Sequence, residues 1–97
     1  MSKILIVDDV VIDLSAKVIE KAGKVVELTP QEFRLLEVLV LNRNLALSRT
    51  QLLEKAWGFD YYGDTKTVAV HIQKLRKKLG FEERIKTVYK LGYRFEV

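Results

Sequence analysis

The apolar positions in the second half of the chain repeat with the spacing of one helix face. They are separated by four, three and four residues and are Val68, Ile72, Leu75 and Leu79. Residues at this spacing lie along one side of an α-helix, the side that packs on a protein core. We therefore predict a helix that is capped by Asp64 and ends at Gly80, with these four side chains buried.

The opposite side of this predicted helix is basic. At about 100° per residue, it carries Lys66, Val70, Gln73 and Lys77, with Lys74 at its margin. No acidic residue follows Asp64 before Gly80, whereas helices that only face solvent usually mix charges of both signs. Glutamine can form two hydrogen bonds with adenine, lysine can donate to guanine, and an exposed valine can contact the thymine methyl group. A solvated basic face is the alternative, but these residue types favour nucleic acid as the partner.

The first part of the chain favours a small antiparallel sheet. Short β-branched runs separated by turn residues extend from Lys3 to Leu28, as in strands joined by tight turns. In the last run, alternation predicts that Val26 and Leu28 face inward while Val25 and Glu27 face outward.

Two capping-box patterns predict two more helices. Thr29-Pro30-Gln31-Glu32 starts the first, which we expect to end near Asn42 to Asn44. Ser48-Arg49-Thr50-Gln51 starts the second, which Gly58 ends. Its Trp57 is interpreted as a core residue because it lies at helical spacing from Leu53. The stretch between the two helices, Leu45 to Leu47, is too short to assign.

The segment from Gly58 to Asp64 has the composition of a loop, yet it contains three aromatic residues. Local packing explains such residues at least as well as a protein contact, so both interpretations stay open. After Gly80, a strand from Ile85 to Tyr89, a turn at Lys90-Leu91-Gly92 and a strand from Tyr93 to Val97 predict a hairpin. It carries basic residues, namely Arg84, Lys86, Lys90 and Arg94.

Length and charge agree with one nucleic-acid-binding domain over residues 1–97. The net charge is +4, and nine basic residues lie between Lys66 and Arg94 against the acids Glu82 and Glu83. The chain has no cysteine, no stretch long enough for a membrane span and no secretory signal, so we expect a cytoplasmic protein. One histidine, no glycine-rich phosphate loop and no metal-ligand spacing argue against an enzyme, a cofactor or a metal site.

Four blocks together resemble the winged-helix DNA-binding domain of the OmpR/PhoB family of bacterial response regulators. They are LTPQEFRLLEVL (28–39), SRTQLLEKAWG (48–58), TKTVAVHIQKLRKKLG (65–80) and IKTVYKLGYRFE (85–96). The resemblance implies an α+β fold, a winged helix-turn-helix with an N-terminal antiparallel β-sheet, three helices and a C-terminal β-hairpin wing. It also implies regulation of transcription in a two-component system by a head-to-tail dimer on direct repeats of double-stranded DNA.

The resemblance assigns roles to individual residues. Those implied to read bases in the major groove are Val70, Gln73, Lys74 and Lys77. Those implied to contact the DNA backbone are Lys66, Thr67, His71, Arg76 and Lys78, and those implied to lie on the wing at the minor groove are Lys86, Lys90 and Arg94. The loop implied to contact RNA polymerase contains Phe59, Asp60, Tyr61 and Tyr62.

Three features depart from the family pattern. Ala69 stands where the family often has Asp, and Lys90 stands where its wing usually has the first glycine of Gly-x-Gly. A lysine there is disfavoured if its φ angle is positive. The opening MSKILIVDD resembles the first strand of a receiver domain, but effector-like sequence follows Asp9 directly. We therefore expect no receiver, no metal at Asp8 and Asp9, and a role for Ile4 to Val7 as the first strand of the sheet.

The alternative function is that of a winged-helix module that binds another protein and has non-specific affinity for nucleic acid. Such a module would need an apolar or mixed-sign third helix, whereas this one is strongly basic. We therefore favour sequence-specific DNA binding.

Overall fold

The computed structural model describes residues 4–97 and has the predicted α+β fold. Its first sheet is antiparallel with the strand order β1 (Ile4–Val7), β2 (Val10–Asp13), β3 (Val18–Lys21) and β4 (Lys24–Val25). Next come α1 (Pro30–Leu41), β5 (Ala46–Ser48), α2 (Arg49–Trp57), α3 (Lys66–Leu79), β6 (Ile85–Val88) and β7 (Gly92–Phe95). The last three strands form a second sheet in the order β5-β7-β6. None of the helices within residues 4–97 is long and apolar enough to cross a bilayer.

The first sheet buries one face against the core. Val10, Ile12 and Ile19 are buried on that face. Ile4–Val7 forms the first strand, as expected, whereas Lys3, at which the predicted sheet begins, lies outside the described residues. The predicted last strand is wrong in length, because β4 ends at Val25. Beyond it, Val26 and Leu28 still pack partly buried against the core.

Both predicted capping boxes are present, so the starts of α1 and α2 are set by local sequence. The Thr29 hydroxyl accepts from the Glu32 amide at 3.1 Å, and the Glu32 carboxylate accepts from the Thr29 amide at 2.8 Å. Ser48 and Gln51 make the same pair of bonds at 3.0 and 2.8 Å. These bonds satisfy amide groups that a helix N-terminus leaves without partners.

The short unassigned stretch between α1 and α2 becomes a strand because of a distant partner. β5 pairs with β7, and Ser48 lies opposite Gly92. A Cβ atom at Gly92 would overlap the carbonyl oxygen of Leu47, so this close approach of two backbones requires glycine. The hairpin of β6 and β7 is therefore attached to the start of α2.

α3 buries the predicted side and exposes the other. Its seam consists of Val68, Ile72, Leu75 and Leu79, each at most 1% exposed. Asp64 accepts from the Lys66 amide at 2.9 Å, which is the predicted capping bond, although the regular helix begins at Lys66 with Thr65 at the cap position. Gly80 ends the helix with a positive φ of 67°.

An ion pair between a buried carboxylate and a partly exposed lysine joins the start of α1 to the end of α3. Glu32 is only 2% exposed, and its carboxylate accepts from Lys78 Nζ at 2.7 Å. Burial alone would raise the pKa of Glu32, but hydrogen bonds from Lys78 and from the Thr29 amide outweigh it and hold the pKa below the usual range. Glu32, which completes the capping box of α1, thus also holds the end of α3 through Lys78.

We expect Glu32→Gln to destabilise the domain by about 1–2 kcal/mol at pH 7, because it leaves Lys78 without its carboxylate. A lowered pKa in the folded state means that the stabilisation is present above the usual glutamate pKa. It is lost as the pH falls through the folded-state pKa. In urea unfolding, the difference between wild type and variant should therefore shrink below about pH 4.

The matched control is Glu83→Gln, which removes an exposed carboxylate paired with Lys86. Exposed pairs contribute little to stability, so this variant should unfold like the wild type. If both variants unfold alike at pH 7, the Glu32–Lys78 pair does not hold α1 to α3.

Candidate nucleic-acid interface

The outer side of α3 is a continuous surface, which we call the reading face. It consists of Lys66, Val70, Gln73, Lys74 and Lys77, all exposed. Within residues 4–97, none of the polar side chains of the reading face makes a hydrogen bond or an ion pair. Val70 is 52% exposed in the middle of these cations. The reading face can therefore offer cations, an amide and an apolar group to a ligand without breaking an internal contact.

The flank of α3 that faces α2 holds Thr67 and His71. The His71 Nδ1–H donates to the Thr67 carbonyl oxygen at 2.8 Å, and the imidazole meets the Trp57 ring edge-on at 5.0 Å between centroids. This bond places the ring proton on Nδ1, so Nε2 of neutral His71 is only an acceptor. A phosphate contact through Nε2 requires the imidazolium form.

The other two basic residues expected at the DNA backbone have partners inside the protein. Lys78 pairs with Glu32 at 2.7 Å. Arg76 donates to the Ile85 carbonyl oxygen from Nε at 3.0 Å and from a terminal nitrogen at 2.6 Å, and the same nitrogen donates to Thr87 Oγ1 at 3.0 Å. Arg76 thus connects α3 to β6.

The basic residues of the hairpin differ in whether they have a carboxylate partner. Lys86 pairs with Glu83 at 2.8 Å, and Arg94 pairs with Glu96 at 2.8 Å. Lys90 lies in the turn with a φ of 61°. This positive φ is the backbone conformation that disfavours a lysine at this position. Its ammonium lies 5.5 Å from the centroid of the exposed Tyr89 ring and has no carboxylate partner within residues 4–97.

One basic residue near this surface was not identified from the sequence. Arg49 starts α2, its amide donates to the Leu91 carbonyl oxygen at 3.3 Å, and its guanidinium lies 5.7 Å from the Tyr93 ring centroid. Arg76 lies 5.6 Å from the same ring. A cation in the first turn of a helix interacts unfavourably with the helix dipole. An arginine directly after the N-cap Ser48 is therefore the sequence signal that could have identified Arg49.

The loop between α2 and α3 is largely uncovered. Phe59 is 83% exposed and Tyr62 is 97% exposed. Asp60 is exposed as well, while Tyr61 is 41% exposed and lies against Gly63. Local packing therefore accounts for Tyr61 but leaves Phe59 and Tyr62 largely uncovered by residues 4–97.

The acidic pair near the N-terminus is occupied by ion pairs. Arg84 donates to both carboxylate oxygens of Asp8 at 2.8 and 3.1 Å, and Lys21 donates to Asp9 at 2.9 Å. The hydrogen bond from Arg84 lowers the pKa of Asp8. The Asp8–Arg84 pair ties the first sheet to the segment that precedes β6, whereas the Lys21–Asp9 pair lies within the sheet.

Comparison with known proteins identifies the family. Residues 23–95 match the family model described as "Transcriptional regulatory protein, C terminal". The transcriptional regulatory protein YclJ of Bacillus subtilis is 52% identical over 77 residues, which cover 76% of this chain and 34% of YclJ. The chain therefore spans about a third of the length of that relative. The family consists of transcription regulators and is not a family of enzymes.

Solved structures share the fold. The DNA-binding domain of Klebsiella pneumoniae RstA, determined in complex with the RstA box, has a TM-score of 0.83 and 32% identity, and the match covers 97% of each chain. DrrB, an OmpR/PhoB homologue from Thermotoga maritima, has a TM-score of 0.87 and 26% identity over 97% of this chain and 44% of its own. The chain thus belongs to the family of C-terminal domains of transcriptional regulatory proteins and, within it, to the DNA-binding domains of OmpR/PhoB response regulators.

Proposed function

We propose that this chain regulates transcription by sequence-specific binding to double-stranded DNA, with α3 in the major groove and the hairpin at the adjacent minor groove. The main support for this proposal is that the cations and the amide of the reading face have no hydrogen-bond or ion-pair partner within residues 4–97. A width of about 12 Å lets the major groove admit an α-helix. The relationship to RstA, whose domain was solved with the RstA box, supports the same partner.

Within the reading face, we propose that Val70, Gln73, Lys74 and Lys77 contact bases and that Lys66 contacts phosphate. Lys66 lies in the first turn of α3, where the exposed amides and the helix dipole also attract an anion. Thr67 and protonated His71 extend the backbone contacts on the flank beside α2. Ala69 offers no hydrogen-bonding side-chain group, so that position makes no hydrogen bond to a base.

Arg76 and Lys78 receive a different role in this proposal from the phosphate contacts expected from the sequence. Moving either cation to a phosphate would break the bond that holds α3 to β6 or to α1. We assign both a positioning role. Breaking the pair with the buried Glu32 would leave its carboxylate uncompensated, which makes Lys78 the less available of the two.

On the hairpin, we propose Lys90 as the principal DNA contact. Lys86 and Arg94 would have to exchange exposed carboxylate partners for phosphates, which is a small cost because exposed pairs are weak. We also propose that two copies bind direct repeats head to tail. The exposed loop of Phe59, Asp60, Tyr61 and Tyr62 would then be free to contact RNA polymerase.

We expect Gln73→Ala or Lys77→Ala to weaken binding to the preferred site by about 1–3 kcal/mol and to relax its sequence preference, because each removes a base contact. Lys66→Ala should weaken binding to all duplexes alike and reduce the slope of log K against log salt by about 1. Salt-titrated fluorescence anisotropy on the preferred and on a scrambled duplex measures both. Identical behaviour of the Gln73 and Lys66 variants would contradict the division of roles.

We expect Lys90→Gly to stabilise the fold by about 1 kcal/mol, because glycine adopts positive φ without a Cβ penalty. The same variant should bind DNA more weakly and with a smaller salt slope. The matched control is Lys17→Gly, since Lys17 also has a positive φ, of 58°, and lies in the turn between β2 and β3. It should stabilise the fold without a change in salt slope. Equal DNA binding by both variants would remove Lys90 from the interface.

For the loop, we expect Tyr62→Ala to leave DNA affinity and stability unchanged, because this side chain is 97% exposed. Transcription in vitro from a template with the preferred site should fall. Measuring affinity and transcript level with the same protein preparation separates the two effects. Unchanged transcript levels would rule out a polymerase contact through Tyr62.

A further inference from the structure

A groove of about 390 Å³ lies between β3, the segment after β4 and the start of α1. Its apolar floor is formed by Ile19, Val26, Leu28 and Phe33. This volume falls within the range of about 300–1,000 Å³ found for ligand sites in proteins. The groove is open to solvent along one side, so it suits a side chain presented by a larger molecule better than a fully enclosed small ligand.

Two cations, Lys17 and Arg34, stand at the rim of this groove. Both are exposed, and neither makes a hydrogen bond or an ion pair with another part of residues 4–97. By contrast, Lys21 and Arg84, which also belong to or face the first sheet, each contact a carboxylate. No acidic residue lines the groove. An occupant with carboxylates beside an apolar group therefore matches it in charge and in polarity.

We propose that this groove binds an acidic peptide segment of a partner protein. One bulky apolar side chain of the segment occupies the floor over Val26 and Phe33. Carboxylates on either side of it meet Arg34, which can bind a carboxylate through two parallel hydrogen bonds, and Lys17. The apolar anchor gives affinity, and the two cations fix the position of the segment.

The groove and the reading face lie on different sides of α1. Arg34 follows Glu32 by two residues, which places the two side chains about 160° apart around the helix axis. Glu32 points to α3, where it binds Lys78. The peptide and DNA can therefore be bound at the same time, and this site does not depend on the proposed base contacts.

The test is a titration of the ¹⁵N-labelled chain with an acetylated and amidated peptide of sequence Glu-Glu-Leu-Phe-Glu-Glu, followed by amide chemical shifts. We expect shifts at Ile19, Val26 and Phe33, and a weakening of about tenfold in Arg34→Glu, since one charge-assisted contact is lost. A peptide with two glycines in place of Leu-Phe should not bind. Decanoate, as a small amphipathic carboxylate, should not bind either.

The matched control is Lys55→Glu on α2, which changes the net charge by the same amount on an exposed lysine away from the groove. It should keep peptide binding, while both variants should show the same small change in DNA affinity. The proposal is overturned if the peptide shifts the reading face, if both variants weaken it equally, if decanoate replaces it as the ligand, or if nothing binds. Failure of the peptide to bind the groove would leave DNA binding by α3 unaffected, so the two proposals fail separately.

Discussion

The burial of one side of α3 determines which side of this helix is available to a ligand. Each of the four seam residues is at most 1% exposed, and burying a side chain of this size contributes about 1.5–3 kcal/mol. A rotation of α3 by one residue would expose part of this seam. It would bring Gln73 and Arg76 into the core in one direction, or Lys74 in the other, and burying such polar groups without partners is costly. The core thus holds Gln73 and the lysines of the reading face in one orientation, before any ligand is present.

Two polar contacts complete the positioning of α3. Lys78 holds its end to α1 through Glu32, and Arg76 holds its flank to β6 through the Ile85 carbonyl. The hairpin is in turn fixed to the start of α2, where Gly92 allows β5 and β7 to approach closely. The helix and the hairpin are therefore connected to each other by direct contacts, which set their relative position for a duplex.

Local signals in the sequence were sufficient for the elements that depend on neighbouring residues. Capping boxes gave the starts of α1 and α2, the apolar spacing gave the seam of α3, and Gly80 gave its end, because each rests on contacts within a few residues. The strand β5 could not be predicted, since it exists only through pairing with β7. The internal contacts of Arg76 and Lys78 could not be predicted for the same reason. The resemblance implied contacts with the DNA backbone for both, whereas their partners in the fold, Ile85 and Glu32, come from distant parts of the chain.

Base reading by α3 is tested most directly by selection of bound sequences from a pool of random duplexes with the wild-type chain. We expect enrichment of one short sequence, present twice in the same orientation and separated by about one helical turn of 10–10.5 base pairs. A pool that stays random after several rounds, while the protein still retains DNA at low salt, would contradict it. The outer side of α3 would then be a general anion-binding surface that does not read bases.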